Sequence, residues 1–577
     1  MDGDGEYEII LKWDPTNQCD NGQNGSQNYT GNVYLDCYKL NGTKLWRIDL
    51  GVNIRAGAHY TQFMVYDLDG DGKAEVACKT APGTIDGKGN NVIMGSDDPK
   101  ADYRGTHGGK QGVIKTGPEY LTVFEGATGK ELSTVAYEPS RNILSDSAWG
   151  DSFGNRCERY LACVAYLDGK KPSLVMCRGY YTAAYLCAWD FDGKELKKRW
   201  LHASTTKGKG AYGEGAHSLT VGDVDGDGCD EIVYGACCID HDGSVLYRTG
   251  LGHGDALHLG DFIPDREGLE VFMVHEEKSA AYGFEMRDAQ TGEILSGRKM
   301  GSDIGRGLCA DIDSLSRGAE YWSLAKFNMT SDGKYNSITF DCNGDSISTK
   351  RPSVNFRTYW TGNLSEELQE KGVISQWVNK TSSCTTVTDF VSTYGCGVNL
   401  IKDTPSLQAD ILGDWREECI YYDEKTKSNL MIFSTPFTSP YRVPCLMHDH
   451  IYRMSICWQN VAYNQPPHLG YYLRDYVKYQ QSNPTGISRP VLTDEQSNVE
   501  IPFTLISDGI VIRYTDMDNA SSSIRVYSLD GLCVYHVTNQ LQGSGEIKLE
   551  GLEGLKKGVY LLSVVVDGAK TVRKIIQ

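Results

Sequence analysis

A short acidic loop recurs along this chain, and it limits the possible folds more than any other feature. Asp67-Leu68-Asp69-Gly70-Asp71-Gly72-Lys73-Ala74-Glu75 and Asp223-Val224-Asp225-Gly226-Asp227-Gly228-Cys229-Asp230-Glu231 are near-copies. A third copy opens the chain as Asp2-Gly3-Asp4-Gly5-Glu6-Tyr7-Glu8, with its first acid missing. Carboxylates at the first, third, fifth and ninth positions, with glycines between them, set hard oxygens around one point. Calcium needs this arrangement, because it takes about six to eight oxygen ligands on a loop that turns sharply. The helix–loop–helix calcium hand is excluded: its twelfth position must be a bidentate Glu, and here that position holds Cys78 or Tyr234. Hydrophobic strands follow instead. The loops therefore read as calcium clips at strand starts that staple the fold, with Asp67, Asp69, Asp71, Glu75, Asp223, Asp225, Asp227 and Glu231 as ligands.

Weaker copies continue the series. Asp261 and Asp265 lead to Glu270, Asp311 and Asp313 lead to Glu320, and Asp410 and Asp414 lead to Glu417-Glu418. Asp311, Asp313 and Glu320 join the candidate metal ligands. Between the loops lie strand–turn–strand segments with a Gly in the turn, Tyr38–Trp46, Phe124–Leu132, Trp189–Leu196 and Met286–Leu295, which read as hairpins. Hairpins and loops repeating every few tens of residues imply stacked sheet units, and closing them radially removes exposed sheet edges. The expectation is an all-β chain. A β-propeller of many blades spans residues 1–480, a linker spans 481–500, and a small β-sandwich spans 501–577. One short helix is expected at 364–371.

Composition excludes several classes. With a net charge of −19, the surface repels nucleic acid. It also repels an acidic polysaccharide unless metals or local Arg and Lys reverse the field in a cleft. No apolar run reaches the roughly 18 residues of a membrane-spanning helix. The 18 cysteines lack paired zinc spacing, and many sit in apolar strand-like runs, where free thiols behave as small hydrophobes. A few disulfides stay open as an alternative. Met1 stands inside a calcium motif, so the natural N-terminus is expected upstream.

Several segments together are specific: Arg55–Phe63, Gly117–Phe124, Gly250–His258, Gly305–Asp313, Thr404–Glu418, Leu446–Asp449 and Trp458–His468. They resemble polysaccharide lyase family 11, the rhamnogalacturonan lyases, from residue 1 to about 475. The resemblance implies an eight-bladed propeller with several bound calcium ions. It also implies cleavage of the rhamnosyl-(1→4)-galacturonate bond of rhamnogalacturonan I by β-elimination, with endo action expected. Such elimination needs a cation to neutralise the uronate, a base for the C5 proton, and a proton for the leaving oxygen. By the resemblance, Arg306 is the cleft arginine and Lys402 the base. Asn399 and Tyr463 contact substrate, and His217, His253, Asp255 and Glu276 hold a separate calcium. The stretch Asn399-Leu400-Ile401-Lys402 departs from the family's usual Asn-Gly-Thr-Lys, which leaves exo action open. Family members usually carry an N-terminal β domain and a signal peptide, which this sequence does not include.

The tail, through Ile524–Gly531 and Gly558–Val564, resembles type IX secretion sorting domains and implies export. A monomer acting on an acidic polysaccharide is expected. The alternatives are a non-catalytic pectin-binding propeller and a hydrolase using two carboxylates.

Overall fold

The structure, a computed structural model, describes residues 1–21, 29–329, 336–399, 402–482, 503–506, 509–528, 533–549, 559–566 and 569–576. The chain forms two compact units, Met1–Asn483 and Pro484–Gln577. The linker expected at 481–500 lies, from 483 on, outside the described residues. Both units are β-rich, and the expectation of an all-β chain holds. Among the described residues, no helix is long and apolar enough to cross a membrane.

In the first unit, eight antiparallel sheets of three or four strands follow one another along the described chain. The first strands of successive sheets abut: Phe63–Tyr66, Ala162–Ala165, Gly215–Gly222, Ala256–Gly260, Gly307–Ala310 and Phe356–Thr358. These strands are mostly buried on both faces, so they read as apolar runs rather than alternating ones (ACVA and GLCA, for example). Each of the four expected hairpins pairs as predicted.

The acidic loops link first to second strands. Gly70, Gly72, Gly226 and Gly228 have φ between 80° and 90°, a region that penalises any Cβ. In that conformation Asp67 accepts from the amides of Gly70 (2.8 Å), Asp71 (3.0 Å) and Gly72 (2.9 Å). Asp223 accepts from Gly226 (2.8 Å) and Gly228 (3.1 Å). The acid at the ninth position, or the tenth in the loops that start at Asp261 and Asp311, begins the second strand and turns back onto the loop. Glu75 accepts from the amide of Leu68, Glu231 from Val224, Glu270 from Ile263, Glu320 from Ile312, Glu367 from Trp360 and Glu418 from Ile411, each at 2.9 Å. One buried carboxylate is thus repeated in six sheets.

That repeat corrects the expected helix at 364–371. Glu367–Glu370 is a strand, because Glu367 takes the place of the strand-opening acid in its sheet and its tie to Trp360 and Thr361 outweighs the helical propensity of Glu and Leu.

The helix His450–Trp458 is capped by Asp449, whose carboxylate accepts from the amide of Tyr452 at 2.8 Å. It packs on Phe63–Tyr66, Ala162–Ala165 and Gly215–Gly222. Its buried Met454 and Trp458 contribute about 1.5–3 kcal/mol each through apolar burial. Ile451 touches Gly222 at one end of the fourth sheet's first strand. At the other end the amide of Tyr463 donates to the carbonyl of His217 (3.1 Å).

In the second unit, five strands pair into one antiparallel sheet, where two packed sheets were expected. The 20-residue strand Gly509–Ser528 pairs with Phe503–Ile506, Cys533–Leu549 and Val559–Val566, and Val559–Val566 pairs in turn with Ala569–Ile576, which joins the five described strands in a single sheet.

Candidate functional site

The sequence-predicted residues fall at two opposite ends of the sheets. The acidic loops follow the C-terminal ends of the first strands. His217, His253, Asp255 and Arg306 lie at or just before the N-terminal ends of Gly215–Gly222, Ala256–Gly260 and Gly307–Ala310. Eight residues of strand separate these ends by roughly 25 Å. The loops at 67–75 and 223–231 therefore cannot touch a substrate held at the histidine end.

At the histidine end, His217, His253, Asp255 and Glu276 present donor atoms that all lie within 4.8 Å of one another. His217 Nε2 is 3.3 Å from Asp255 Oδ1, and His253 Nε2 is 3.8 Å from Glu276 Oε1. His253 Nδ1 is 2.5 Å from the carbonyl of Gly215. That carbonyl can only accept, so Nδ1 carries the proton and the Nε2 lone pair faces the cluster. Burial holds the pKa of His217 well below the ordinary range and lowers that of His253 to about 4. Both imidazoles are therefore neutral, the form that binds metal. Burial and the charge of Asp255 raise Glu276. His253 Nε2 and Asp255 Oδ1 are buried and make no hydrogen bond. Unpaired buried lone pairs of this kind are costly unless a cation meets them, so these residues fit a bound dication.

Lys402 Nζ donates to Asp255 Oδ2 at 3.0 Å and lies 4.4 Å from the centroid of the Tyr463 ring. That ring stacks on His217, with centroids 4.0 Å apart and planes at 22°. Burial raises the Tyr463 phenol, so its proton stays on as a donor. Arg306 is buried, and desolvation lowers it to about 10, which leaves it charged at neutral pH. It donates to Asn355 Oδ1 (2.8 Å), the Asp255 carbonyl (2.9 Å) and the Asn355 carbonyl (3.3 Å). Two of its five N–H groups remain for a ligand. The backbone of Asn399 holds the turn that carries Lys402: its amide donates to the Thr404 carbonyl at 2.9 Å, and its carbonyl accepts from Asp403 at 2.8 Å. Leu400 and Ile401, the departures from the family pattern, lie outside the described residues.

The structure also brings in residues that the sequence reading passed over. Tyr180 and Tyr181 place hydroxyls 2.9 Å from Nδ1 and 3.0 Å from Nε2 of His217. His59 Nδ1 lies 2.5 Å from Asp20 Oδ2, and its ring centroid is 5.4 Å from that of His217. Arg159 lies 3.7 Å from the same Asp20 oxygen. The available signal was the Tyr180-Tyr181 pair following Gly179, and His59 within the Arg55–Phe63 segment.

Among the acidic loops, Asp67, Asp69 and Asp71 converge within the same limit, as do Asp2, Asp4 and Glu8. In the loop at 311–320 the arrangement differs. Arg474 Nη2 is 2.6 Å from Asp311 Oδ1, and Asp313 accepts from Asn379 and from the amide of Leu315. A guanidinium stands against the first acid where a metal was expected. Likewise Arg266 Nη1 donates to Glu270 Oε1 at 2.9 Å. Of the 18 cysteines, 17 have described side chains, and these are free and mostly buried.

Residues 1–483 match the family described as rhamnogalacturonan lyase family 11, C-terminal domain. Residues 506–577 match the secretion system C-terminal sorting domain, which indicates a secreted protein. The chain is 53% identical over 488 residues to the rhamnogalacturonan exolyase YesX of Bacillus subtilis (strain 168), covering 83% of this chain and 77% of that one. It is 51% identical over 482 residues to the rhamnogalacturonan endolyase YesW of the same organism, covering 83% and 73%. A crystal structure of rhamnogalacturonan lyase YesW superposes with a TM-score of 0.75, covering 82% of this chain and 76% of that one at 51% identity. A Bacillus licheniformis rhamnogalacturonan lyase superposes equally well, with a TM-score of 0.75 at 52% identity over 82% and 76% of the two chains.

Proposed function

The chain belongs to rhamnogalacturonan lyase family 11, and from that premise we propose that it cleaves the rhamnosyl-(1→4)-galacturonate bond of rhamnogalacturonan I by calcium-dependent β-elimination, acting within the chain. The observation that carries this reading is the meeting of Lys402, Asp255 and Arg306 around one four-donor cluster. Elimination calls for a base and a fixed positive field within reach of one uronate, and the lyase reading assigns both here.

Each residue then has a task. Arg306 offers its two spare N–H groups to the uronate carboxylate and favours the charge that spreads into it as C5 is deprotonated. Lys402, once it has released its own proton and stands as the neutral amine, takes the C5 proton. The electron pair of that bond forms the C4–C5 double bond, the C4–O4 bond breaks, and the oxygen leaves on rhamnose, taking a proton from water. Tyr463 keeps Lys402 in place by its ring face and donates its hydroxyl to the sugar. Asn399 fixes the Lys402 turn and contacts a neighbouring sugar. His217, His253, Asp255 and Glu276 would hold a calcium, which when bound supplies Lewis-acid neutralisation of the same carboxylate.

We read the eight sheets as the blades of a propeller, because the first strands of successive sheets abut in chain order. On this reading the loops at 67–75 and 223–231 hold calcium as staples, and the enzyme works as an extracellular monomer. The pairing of the loop at 311–320 with Arg474 favours the guanidinium as its resident cation.

Incubating the full chain with rhamnogalacturonan and calcium tests the proposal. Absorbance of unsaturated uronate should rise, and viscosity should fall early, as internal cuts require. A rise with viscosity falling only late would make the enzyme exo-acting. No rise, with the polysaccharide still bound, would leave a non-catalytic binder.

A further inference from the structure

A cleft of about 510 Å³ lies beside Arg306, lined by Asp303, Leu324, Lys326, Asn336, Ser337 and Arg351. Its volume falls in the range of roughly 300–1,000 Å³ usual for ligand clefts. Several ties join it to the site around Lys402. Gly305 also lines the cleft and precedes Arg306 in the chain, and the amide of Leu324 donates to the Arg306 carbonyl at 2.8 Å. Asn355 accepts from Arg306 and donates to Glu370 Oε1, and the charge of Glu370 acts on both Arg306 and Arg351. Asp303 in turn feels the charge of Asp255. The cleft carries two cations, the exposed Lys326 and the half-buried Arg351. Arg351 Nη1 donates to the Pro352 carbonyl at 2.9 Å, and its buried Nε makes no hydrogen bond, so the guanidinium is under-satisfied where it lines the cleft.

The inference rests on the lyase reading of the site around Lys402. Rhamnogalacturonan I alternates rhamnose with galacturonate, so a carboxylate recurs at every second sugar. We propose that the cleft is a second uronate subsite, in which Arg351 and Lys326 bind the carboxylate of the galacturonate next along the chain from the one being cleaved. A guanidinium suits that task because its fork matches both oxygens of a carboxylate. The lysine adds positive charge to a protein whose net charge of −19 otherwise repels the substrate. Leu324, 38% exposed, offers an apolar surface to the C–H face of the sugar, and Asn336 and Ser337 offer partners for its hydroxyls. Asp303 repels a carboxylate and accepts from hydroxyls, so it and the two cations together orient the sugar. Binding then depends on two carboxylates instead of one, which favours a chain with regularly spaced uronates over one with a single uronate.

The test is calorimetric titration of rhamnogalacturonan oligosaccharides, with calcium present, into the full chain carrying Lys402→Ala, which keeps the ligand uncut, with and without Arg351→Met. The methionine keeps an apolar stem and loses the charge. Loss of a charged hydrogen bond should weaken Kd by about ten- to hundredfold, and Arg351→Lys should recover part of it. Oligosaccharides whose carboxyl groups have been reduced to alcohols should bind both proteins alike. In the chain with Lys402 intact, the loss from Arg351→Met should fall on KM rather than kcat. If circular dichroism shows that Arg351→Met does not fold, Lys326→Met, at an exposed side chain, decides alone, with a loss of about threefold or more expected. A Kd unchanged to within about twofold, an equal loss on the reduced oligosaccharides, or a fall in kcat with Kd unchanged would overturn the subsite. Absence of unsaturated product from the wild type would instead remove the lyase reading, and the Kd comparison would still decide whether the cleft binds uronate.

Discussion

Replacing Lys402 by Ala separates catalysis from folding, because the side chain is partly exposed and lightly held. Its side chain is 22% exposed and has two partners, Asp255 at 3.0 Å and the Tyr463 ring at 4.4 Å. A cation–π contact of this kind is worth about 0.5–1 kcal/mol, and a partly solvated ion pair about 0–1 kcal/mol. Asp255 keeps His217 as a neighbour at 3.3 Å, so the fold should lose only about 0.5–2 kcal/mol in all. A missing base costs much more, about 10²–10⁴ in rate, or roughly 3–5 kcal/mol of barrier. The assay is the initial rate of unsaturated-uronate absorbance at saturating rhamnogalacturonan and calcium, with thermal unfolding measured on the same samples. The expected outcome is a fall of at least about 100-fold in kcat, a small change in KM and a melting temperature within a few degrees of wild type. If the variant folds and keeps its rate to within about tenfold, Lys402 is not the base and the mechanism above is wrong.

Three further outcomes follow from the same geometry. Arg306→Ala should cut kcat by about 10²–10³, and a change confined to KM would show that the guanidinium only binds substrate. Arg357→Met removes a fully buried guanidinium that lies 3.0 Å from both Glu366 and Glu417; stranding those carboxylates should cost about 3–5 kcal/mol in urea unfolding, and a loss below about 1 kcal/mol would contradict the pairing. Burial pushes Glu75 up to about 7 and Glu231 up to about 8, from 4.5. Their native forms hold the proton more tightly than the unfolded chain, so in the metal-free protein their contribution is full below pH 4.5 and is lost as pH rises through 7–8. With chelator the melting temperature should therefore fall across that window, and with metal added it should flatten, since the ion replaces the proton; a rise with pH in chelator would reverse the sign and refute this.

The acidic loops were legible because their geometry is local. Asp67 and Asp223 fold their own loops through amides three to five residues away, so composition and spacing carry the whole message. The hairpins were legible for the same reason. The misread segment at 364–371 shows the limit. Its Glu-rich pattern suits a helix, and only the tie from Glu367 back to Trp360 makes it a strand. The loop at 311–320 shows another limit, because Arg474 reaches Asp311 from far along the chain, and no spacing rule announces a guanidinium in place of an ion.

The site divides in the same way. His217, His253, Asp255, Glu276, Arg306 and Lys402 could be named from the sequence through family resemblance, residue by residue. Their meeting could not be read from it. Lys402 reaches Asp255 across 147 positions of chain, and Tyr463 arrives at His217 through the segment that follows the helix His450–Trp458, which packs on the strand Gly215–Gly222. Tyr180, Tyr181 and the His59–Asp20 pair had only a faint local mark, the Tyr-Tyr step after Gly179 and the place of His59 in the Arg55–Phe63 segment, since each acts through a contact with residues distant along the chain. Periodic residues and their near neighbours fix which strands and loops form, because those energies depend on short-range hydrogen bonds and burial. Which acids share a cation, and which cation, depends on side chains that meet only once the sheets have packed.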